Sequence, residues 1–480
     1  MLFNSISFAI FLPIVFGLYW FVFNRSLKLQ NMLLLLSSYY FYSCWDWRFL
    51  FLLAFSTFLD YYSGLKIHNS QSERWRRAWL IISVGINLGF LGYFKYYNFF
   101  AQSFADMMLR AFHYQLNLST LNVLLPIGIS FYTFHGLSYV FDIYNRKITP
   151  STNFVQYSLF VSFFPLLVAG PIERATHLLP QVEKPRQFDY NKAADGLRQI
   201  LWGLFKKIVI ADNCAQVANL AFNHPDQYSG SALVVGAVMF AFQIYGDFSG
   251  YSDIALGTAR LFGFELLKNF AYPYFSRDIA EFWRRWHISL SSWFKDYLYF
   301  PLGGSRGGML TTVRNTFIIF LVSGFWHGAN WTFVVWGGLN ALFIMPSVIF
   351  KTNRKNLETV AQGRIFPNIR ELGQMIITFS LTVFAWIFFR AASIGDAIKY
   401  IKGIFSDSIL SVPHIPMGIL PVLVVLFLII EWLGREQHYA IEKIKAIKVP
   451  FVMRWGFYYA MAALIYVYAN NEQVFIYFQF

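Results

Sequence analysis

The sequence predicts an all-α polytopic membrane protein, and three observations lead to this fold class. Hydrophobic residues make up 57% of the 480 residues and charged residues only 13%, against roughly 25% charged residues in a soluble domain. Apolar windows of about 17 to 25 residues, enough to cross a hydrocarbon core of about 30 Å, recur along the whole length. No polar stretch exceeds a few dozen residues, so we expect a single integral-membrane domain over residues 1–480.

Ten apolar windows are candidate transmembrane segments. The first has no basic segment before it and no small-residue cleavage site after it, which predicts a retained span and not a signal peptide. The windows lie at 7–23, 29–44, 49–65, 78–100, 121–143, 154–172, 231–245, 372–389, 417–432 and 455–469.

Cysteine and charge content narrow the functional class. Cys44 and Cys214 are the only cysteines, too few for a disulfide framework and without the paired spacing of a zinc site. The 39 Lys and Arg exceed the 25 Asp and Glu by 14, and in a membrane protein such an excess marks cytoplasmic loops. We therefore expect no nucleic-acid partner.

The distribution of basic residues predicts the topology. Clusters at 351–370 and 435–454 are placed inside by the positive-inside rule, and both termini outside. The region 277–314 also reads as inside, so the segment 315–350 must fold back or be broken. The natural break is Gly328-Ala329-Asn330. The first arm, the helix from residue 315 to this break, would be about 20 Å long and would place His327 near mid-membrane. Non-helical backbone at that depth must be surrounded by protein or by a water-filled cavity.

The stretch VSGFWHGANW carries His327 in an apolar run. An ionisable group inside a membrane segment is a functional-site hypothesis, because its burial costs free energy. The alternative is that His327 only hydrogen-bonds a neighbouring helix, as polar residues in helix bundles do. Gly324 and Gly328 form a G-x-x-x-G pair, which favours close helix packing over access for a substrate.

The stretch EFWRRWHISLSSWF predicts a basic, aromatic helix at the membrane surface. Trp283 and His287 fall on one face at helical spacing, while Arg284 and Arg285 lie elsewhere around the helix. An interfacial anchor explains the tryptophans without a catalytic role. His287 is then either functional or an ordinary residue of the polar face.

The stretch QIYGDFSGYSDIALG is a polar island that ends an apolar span. Asp247 and Asp253 could bind a cation, orient a histidine or cap a helix beginning near Ser252. No H-x-x-x-H or H-E-x-x-H pattern is present, so we expect no metal site.

Taken in chain order, QIYGDFSGYSDIALG, then EFWRRWHISLSSWF, then the stretch around His327, these three polar stretches resemble the membrane-bound O-acyltransferase family. The likeness is greatest to its bacterial branch involved in alginate O-acetylation. PIGISFYTFHGLSYVFDIY, FFPLLVAGPI and FAWIFFRA extend the likeness over residues 124–392. The resemblance implies a ring of about 10 to 12 tilted helices of membrane-spanning length. Re-entrant segments would surround a central catalytic channel that brings acyl donor and acceptor together from opposite faces.

The resemblance also implies residue roles. His327 matches the histidine that the family uses in catalysis, and His287 matches the second family position. Burial disfavours a charged imidazole, so a neutral His327 can act as general base toward a hydroxyl and then as acid toward the leaving thiolate. An acyl-histidine intermediate is the less favoured variant.

Further residues complete the predicted site. His287 would orient or polarise the donor, while Asn330 and Trp326 could donate hydrogen bonds to the carbonyl oxygen. Asp253, Arg284 and Arg285 are expected to contact substrate. No bound cofactor is expected, since the acyl group would arrive as a thioester of coenzyme A or of an acyl carrier.

The resemblance to this polysaccharide-acetylating branch also implies partners. These are membrane lipid, an extracytoplasmic polysaccharide, a secreted acetyltransferase supplied in trans and a carrier of the acyl donor, at a multi-pass location in the cell membrane. Two alternatives stay open. One is D-alanyl transfer to teichoic acid, and the other is a transporter, although inverted repeats and rows of pore charges are missing.

Overall fold

The computed structural model describes residues 1–116, 118, 120–121, 124–167, 170–445, 450–471 and 473–476. Helices, with short π and 3-10 segments, form the regular structure of these residues. The α-helices are α1 Ile6–Gly17, α2 Leu27–Asp46, α3 Arg48–Asn69, α4 Glu73–Leu91, α5 Tyr97–Phe112, α6 Ile129–Tyr144, α7 Phe154–Ser162, α8 Phe164–Leu167, α9 Ala175–Glu183, α10 Tyr190–Leu204, α11 Asp212–Asn223, α12 Gly230–Leu261, α13 Ile279–Arg285, α14 Ile288–Phe294, α15 Gly308–His327, α16 Trp331–Ile349, α17 Ile369–Arg390, α18 Ile394–Ile404, α19 Leu420–Leu433 and α20 Phe451–Tyr468.

Five stretches are long and apolar enough to cross a membrane, which confirms the all-α polytopic class. Two shorter apolar helical stretches, Ile6–Val22 and Leu420–Leu433, accompany them. The five are Glu73–Phe112, Gly230–Leu261, Gly308–His327, Trp331–Ile349 and Ile369–Arg390.

The chain divides into two compact units. The first comprises residues 1–193 and 259–266, and the second comprises residues 194–258 and 267–480. In the first unit α3, α4 and α6 pack around the buried Asp60, whose Oδ1 accepts hydrogen bonds from Ser83 Oγ at 2.6 Å and Asn87 Nδ2 at 2.8 Å. Any side chain at Gly136 of α6 would overlap this carboxylate, so the glycine permits the close approach.

The second unit carries the stretches that contain His287 and His327. Its α12 is 32 residues long, and Ser252 lies within it. The predicted helix start near Ser252 was therefore wrong, because the helix continues through the polar island. The Ser252 hydroxyl instead accepts a hydrogen bond from Asn269 Nδ2 at 3.1 Å.

Candidate active site

His327 is the last residue of α15, and the chain turns at Gly328–Asn330 before α16 begins at Trp331. The predicted break at these residues is confirmed. Asn330 caps α16, since its Oδ1 accepts from the Thr332 amide at 3.0 Å, and its Nδ2 donates to the Ala392 carbonyl at 2.9 Å. The turn is thereby tied to the end of α17.

The predicted first arm of about 20 Å was too short. The helix begins at Gly308 and has 20 residues, a length of about 30 Å. Length alone therefore no longer places His327 at mid-membrane. The basic residues at 306–314 and 351–370 lie at the ends of α15 and α16 that are away from the turn, so the positive-inside rule predicts the turn on the opposite side of the membrane.

The glycines around His327 serve packing, as predicted. A Cβ atom on Gly324 would overlap the Phe333 carbonyl oxygen of α16, and one on Gly337 would overlap the Phe320 carbonyl oxygen of α15. A Cβ on Gly328 would overlap the Phe333 ring. These positions let the two helices approach backbone to backbone, which fixes where α15 presents its terminal histidine.

Aromatic rings surround the His327 imidazole, which is 4% exposed. Ring centroids lie 4.9 Å away for Trp326, 5.1 Å for Trp336 and 5.3 Å for Phe389, and Trp336 approaches edge-on at 87°. Rings packed this closely exclude bulk water. The imidazole is held in an apolar shell in which a reaction is shielded from solvent.

His287 lies at a break between two short helices, and this corrects the predicted continuous helix over 281–294. α13 ends at Arg285 and α14 begins at Ile288, and His287 adopts a left-handed conformation with φ of 43°. A non-glycine residue with positive φ is uncommon and carries strain. The turn directs His287 inward, where it is 1% exposed and not part of a polar face.

Asn269 fixes the protonation pattern of His287. Its Oδ1 lies 3.0 Å from His287 Nδ1 and also accepts from Ser289 Oγ at 2.9 Å. A carbonyl oxygen has no hydrogen to give, so Nδ1 must donate, and in the neutral ring Nε2 then carries the lone pair. Burial lowers the pKa of His287, which keeps the ring neutral.

The two histidines lie next to each other. Their ring centroids are 6.4 Å apart, and Trp326 contacts both, at 6.1 Å from His287 and 4.9 Å from His327. Phe248 packs edge-on against His287 at 4.6 Å. This arrangement offers a buried pair of imidazoles and an indole N–H to one reacting group.

Three other residues predicted at the site lie in separate networks. Arg284 donates to the carbonyls of Asn353 and Asn356 at 2.5 and 2.7 Å, and Arg285 pairs with Glu281 at 2.9 Å. Arg284 fastens the loop after α16 to α13, and Arg285 also reaches this loop by donating to the Glu358 carbonyl at 3.0 Å.

Asp253 belongs to an ionic cluster on α12. Its two carboxylate oxygens accept from Gln199 Nε2 at 2.8 Å and pair with Lys206 Nζ at 2.5 Å. Of the seven residues predicted for the site, the structure brings His327, His287 and Trp326 into mutual contact and places Asn330 three residues beyond His327.

Asn269 was missed by the sequence analysis. It lies in the loop between α12 and α13, 18 residues before His287, and the loop has no periodic pattern. An asparagine in a loop usually indicates a turn. Only the tertiary contact identifies its role.

Comparisons with known proteins bear on this geometry. The family model described as "MBOAT, membrane-bound O-acyltransferase family" matches residues 131–389, which include both histidines. A Pseudomonas aeruginosa protein named "Probable alginate O-acetylase" is 38% identical over 92% of this chain and 82% of its own length.

Two further relatives differ in the acceptor that their names state. A Helicobacter pylori protein named "Peptidoglycan O-acetyltransferase" is 35% identical over 86% of this chain and 82% of its own. A Bacillus subtilis protein named "Teichoic acid D-alanyltransferase" is 26% identical over 56% of this chain and 69% of its own.

Proposed function

Because the chain belongs to the membrane-bound O-acyltransferase family and is an O-acyltransferase, we propose that it transfers an acetyl group from a cytoplasmic thioester. The acceptor is a hydroxyl of an extracytoplasmic polysaccharide, reached directly or through a secreted acetyltransferase. The observation that carries the proposal is the buried contact between His327 and His287, 6.4 Å from ring to ring.

His327 is the proposed catalytic base. Its neutral imidazole takes the proton of the acceptor hydroxyl while the hydroxyl oxygen attacks the thioester carbonyl carbon. The tetrahedral intermediate collapses with cleavage of the carbon–sulfur bond, and the same proton passes to the departing thiolate. Such acid–base catalysis contributes about 10² to 10⁴ in rate, and the surrounding rings limit competing hydrolysis of the thioester.

His287 is proposed to accept a hydrogen bond and not to donate one to the carbonyl oxygen. Asn269 Oδ1 holds the Nδ1–H, so Nε2 of the neutral ring is an acceptor. It can orient the acceptor hydroxyl or an N–H of His327. This changes the expectation that His287 polarises the acyl donor.

Trp326 is the proposed donor to the developing oxyanion, since its ring contacts both imidazoles and an indole N–H only donates. Asn330 is a weaker candidate, because it caps α16 and ties the turn to Ala392. We assign Asn330 to holding the turn. Arg284, Arg285 and Asp253 support neighbouring segments and have no part in the proposed reaction.

The donor is proposed to be acetyl-coenzyme A or an acetylated carrier, used as a substrate and not as a resident cofactor. The proposed location is the cell membrane, where the charge pattern puts basic loops in the cytoplasm. The acceptor side is then extracytoplasmic. A secreted acetyltransferase, a donor carrier and membrane lipid are the proposed partners.

D-alanyl transfer to teichoic acid is the second candidate. One relative with that name matches 56% of this chain at 26% identity. Relatives named as an O-acetylase or an O-acetyltransferase match 85% and 86% of it at 40% and 35% identity. The more extensive likeness favours acetyl transfer.

The test uses purified protein in lipid nanodiscs, with labelled acetyl-coenzyme A, acetyl carrier or D-alanyl carrier supplied in separate reactions. Each reaction contains an envelope polysaccharide fraction and the secreted fraction that holds partner enzymes. We expect label to move from an acetyl thioester to polysaccharide. Transfer of D-alanine alone would replace the proposal by its alternative, and no transfer from any donor would overturn it.

A further inference from the structure

A polar cavity of about 420 Å³ lies in the second unit, at the end of α17. The end of α11, the segment Pro225–Gln227 and the start of α18 complete its wall. Cavities of roughly 300 to 1,000 Å³ are the usual size for small-molecule binding. Its lining includes Phe222, His224, Asp226, Arg390, Lys399 and Tyr400.

Arg390 is the fixed cation of this cavity. Its Nη2 donates to Asn219 Oδ1 at 2.8 Å, and its guanidinium lies over the Phe222 ring at 5.7 Å. The Phe222 ring also stacks on Tyr400 at 4.2 Å with 12° between the planes. The stack holds the guanidinium in one place before any ligand arrives.

No carboxylate among the residues that the structure describes forms an ion pair with Arg390. Nearby, the exposed side chains of Lys399 and Asp226 form an ion pair, with 2.5 Å between Nζ and Oδ2, so the Asp226 carboxylate is neutralised by Lys399. A half-buried guanidinium without an acidic partner fits a carboxylate or phosphate ligand, which it can bind through two parallel N–H donors. His224 and Asp226 at the rim add groups that can hydrogen-bond hydroxyls.

The cavity adjoins the histidine site through two contacts within the same unit. The Phe389 ring lies 5.3 Å from the His327 ring, and Arg390 is the next residue of α17. The Ala392 carbonyl in the cavity wall accepts from Asn330 Nδ2. A ligand seated here lies beside the turn that carries His327.

The side of the membrane predicted for Arg390 is also the side on which the acceptor lies. The basic loop at 351–370 precedes α17 and reads as cytoplasmic, so a spanning α17 ends with Arg390 on the extracytoplasmic side. This is the side on which a polysaccharide acceptor is met.

We propose that this cavity binds an acidic sugar unit of the acceptor, with its carboxylate on Arg390 and its hydroxyls at the rim. This inference rests on the proposed function, which identifies the ligand as part of the acceptor. Binding of the ligand can be measured without acetyl transfer. A uronic acid and the carboxylated ether of an N-acetylmuramic acid unit present the same group. These two sources are separate arms of the test.

The first measurement is direct binding to purified wild-type protein in nanodiscs, by calorimetry. The probes are an oligouronate tetramer, its carboxyl-reduced counterpart and a glycan fragment containing N-acetylmuramic acid. We expect at least one acidic probe to bind, and the reduced tetramer to bind about 10-fold to 100-fold more weakly than the oligouronate if uronic acid is the source, as loss of a charge-assisted hydrogen bond predicts. Equal binding of acidic and reduced tetramers together with no binding of the muramic fragment would overturn the proposal.

The second measurement repeats binding and acetyl transfer with Arg390→Gln and Arg390→Lys. Arg370→Gln is the matched control, because Arg370 is exposed at the other end of the same helix. We expect Arg390→Gln to raise the Kd and the KM for the acidic probe about 10-fold to 100-fold, Arg390→Lys to fall between, and Arg370→Gln to match wild type. An unchanged KM and Kd in Arg390→Gln would overturn the inference.

The two hypotheses fail in different ways. Binding of an acidic probe that depends on Arg390, with no transfer from any donor, supports the cavity and overturns the proposed function. Transfer to an acidic acceptor that is indifferent to Arg390 keeps the function and overturns the cavity. If Arg390→Gln does not fold, wild-type binding of the oligouronate, its reduced counterpart and the muramic fragment decides alone.

Discussion

Histidines in the two units have similar burial and different bonding. In the first unit His135 is fully buried, and its ring nitrogens are both occupied by the main chain. Nδ1 lies 3.4 Å from the Val161 carbonyl, and Nε2 accepts from the Glu173 amide at 3.1 Å. In the second unit His287 is equally buried, but Asn269 holds one nitrogen while the ring packs beside His327.

This difference in the bonding of the ring nitrogens distinguishes a structural histidine from a candidate catalytic or positioning histidine. Burial alone does not distinguish them. A ring whose two nitrogens bond to main chain has no nitrogen left to exchange a proton with a substrate. A ring with one nitrogen fixed by a side chain has a defined tautomer and a second nitrogen of known character, which is what a proton transfer needs.

The largest expected contrast is between His287→Ala and His135→Ala. We expect His287→Ala to lower acyl transfer by about 10² or more with protein retained in the membrane, because it removes the hydrogen-bond acceptor proposed to orient the acceptor hydroxyl or His327. His135→Ala should lower the free energy of unfolding by about 1 to 3 kcal/mol, because it leaves the Glu173 amide without its partner, while the protein that remains folded turns over normally. Thermal unfolding and transfer per folded molecule give the two readouts.

The comparison would fail in either of two ways. Normal turnover in His287→Ala would show that His287 has only a packing role. A loss of turnover per folded molecule in His135→Ala, with stability unchanged, would show that the main-chain bonds do not define a structural histidine.

A smaller effect is expected from Asn269→Asp. Burial lowers the pKa of His287, so the wild-type ring stays neutral until acidic pH. A carboxylate on Nδ1 favours the imidazolium and raises that pKa by about 1 to 3 units. The acid side of the pH–rate profile should move to higher pH by a similar amount.

Asn269→Ala is the control for this shift, since it removes the bond without adding charge. It should lower the rate at every pH and not raise the pH of the acid limb. Identical profiles for Asn269→Asp and wild type would contradict the assigned tautomer.

The smallest effect is expected at His177, which pairs with the buried Glu173 at 2.8 Å and is itself 37% exposed. This partner raises the pKa of His177 above its usual value. The stabilisation is therefore fully present below the unfolded-state pKa of about 6.5 and is lost as the pH rises through the higher folded-state value.

His177→Gln should consequently destabilise the protein by less than about 1 kcal/mol, because the partly exposed imidazole is screened by solvent and the glutamine amide can still donate to the buried Glu173 carboxylate. Unfolding curves of variant and wild type should differ at acidic pH and converge at alkaline pH. A difference that grows with rising pH would contradict the assigned ion pair.

Local sequence signals predicted one of the two histidine turns and missed the other. Gly328 and Asn330 are residue types that are common in turns, so the break after His327 was predicted correctly. The break at His287 was missed because the surrounding residues keep a helical period, and the turn depends on a non-glycine residue with positive φ. Strain of that kind is stabilised by tertiary contacts that have no local signal.

The sequence could not predict which distant residues form hydrogen bonds with the candidate site residues. Asn269 reaches His287 across 18 residues from a loop without periodicity. Arg284 looked like a surface cation, yet it bonds the carbonyls of a loop about 70 residues later. The long α12 runs through a polar island because Ser252 and Asp253 find partners across the unit.

The central claim is that His327 carries out the proton transfer in acyl transfer. The most direct test is mass spectrometry of envelope polysaccharides from cells that carry wild type, His327→Ala or the exposed control His438→Ala, with membrane protein levels measured by immunoblot. We predict that His327→Ala loses polysaccharide acetylation by about 10² to 10⁴ at an unchanged protein level, while His438→Ala matches wild type. Full acetylation in His327→Ala would contradict the account.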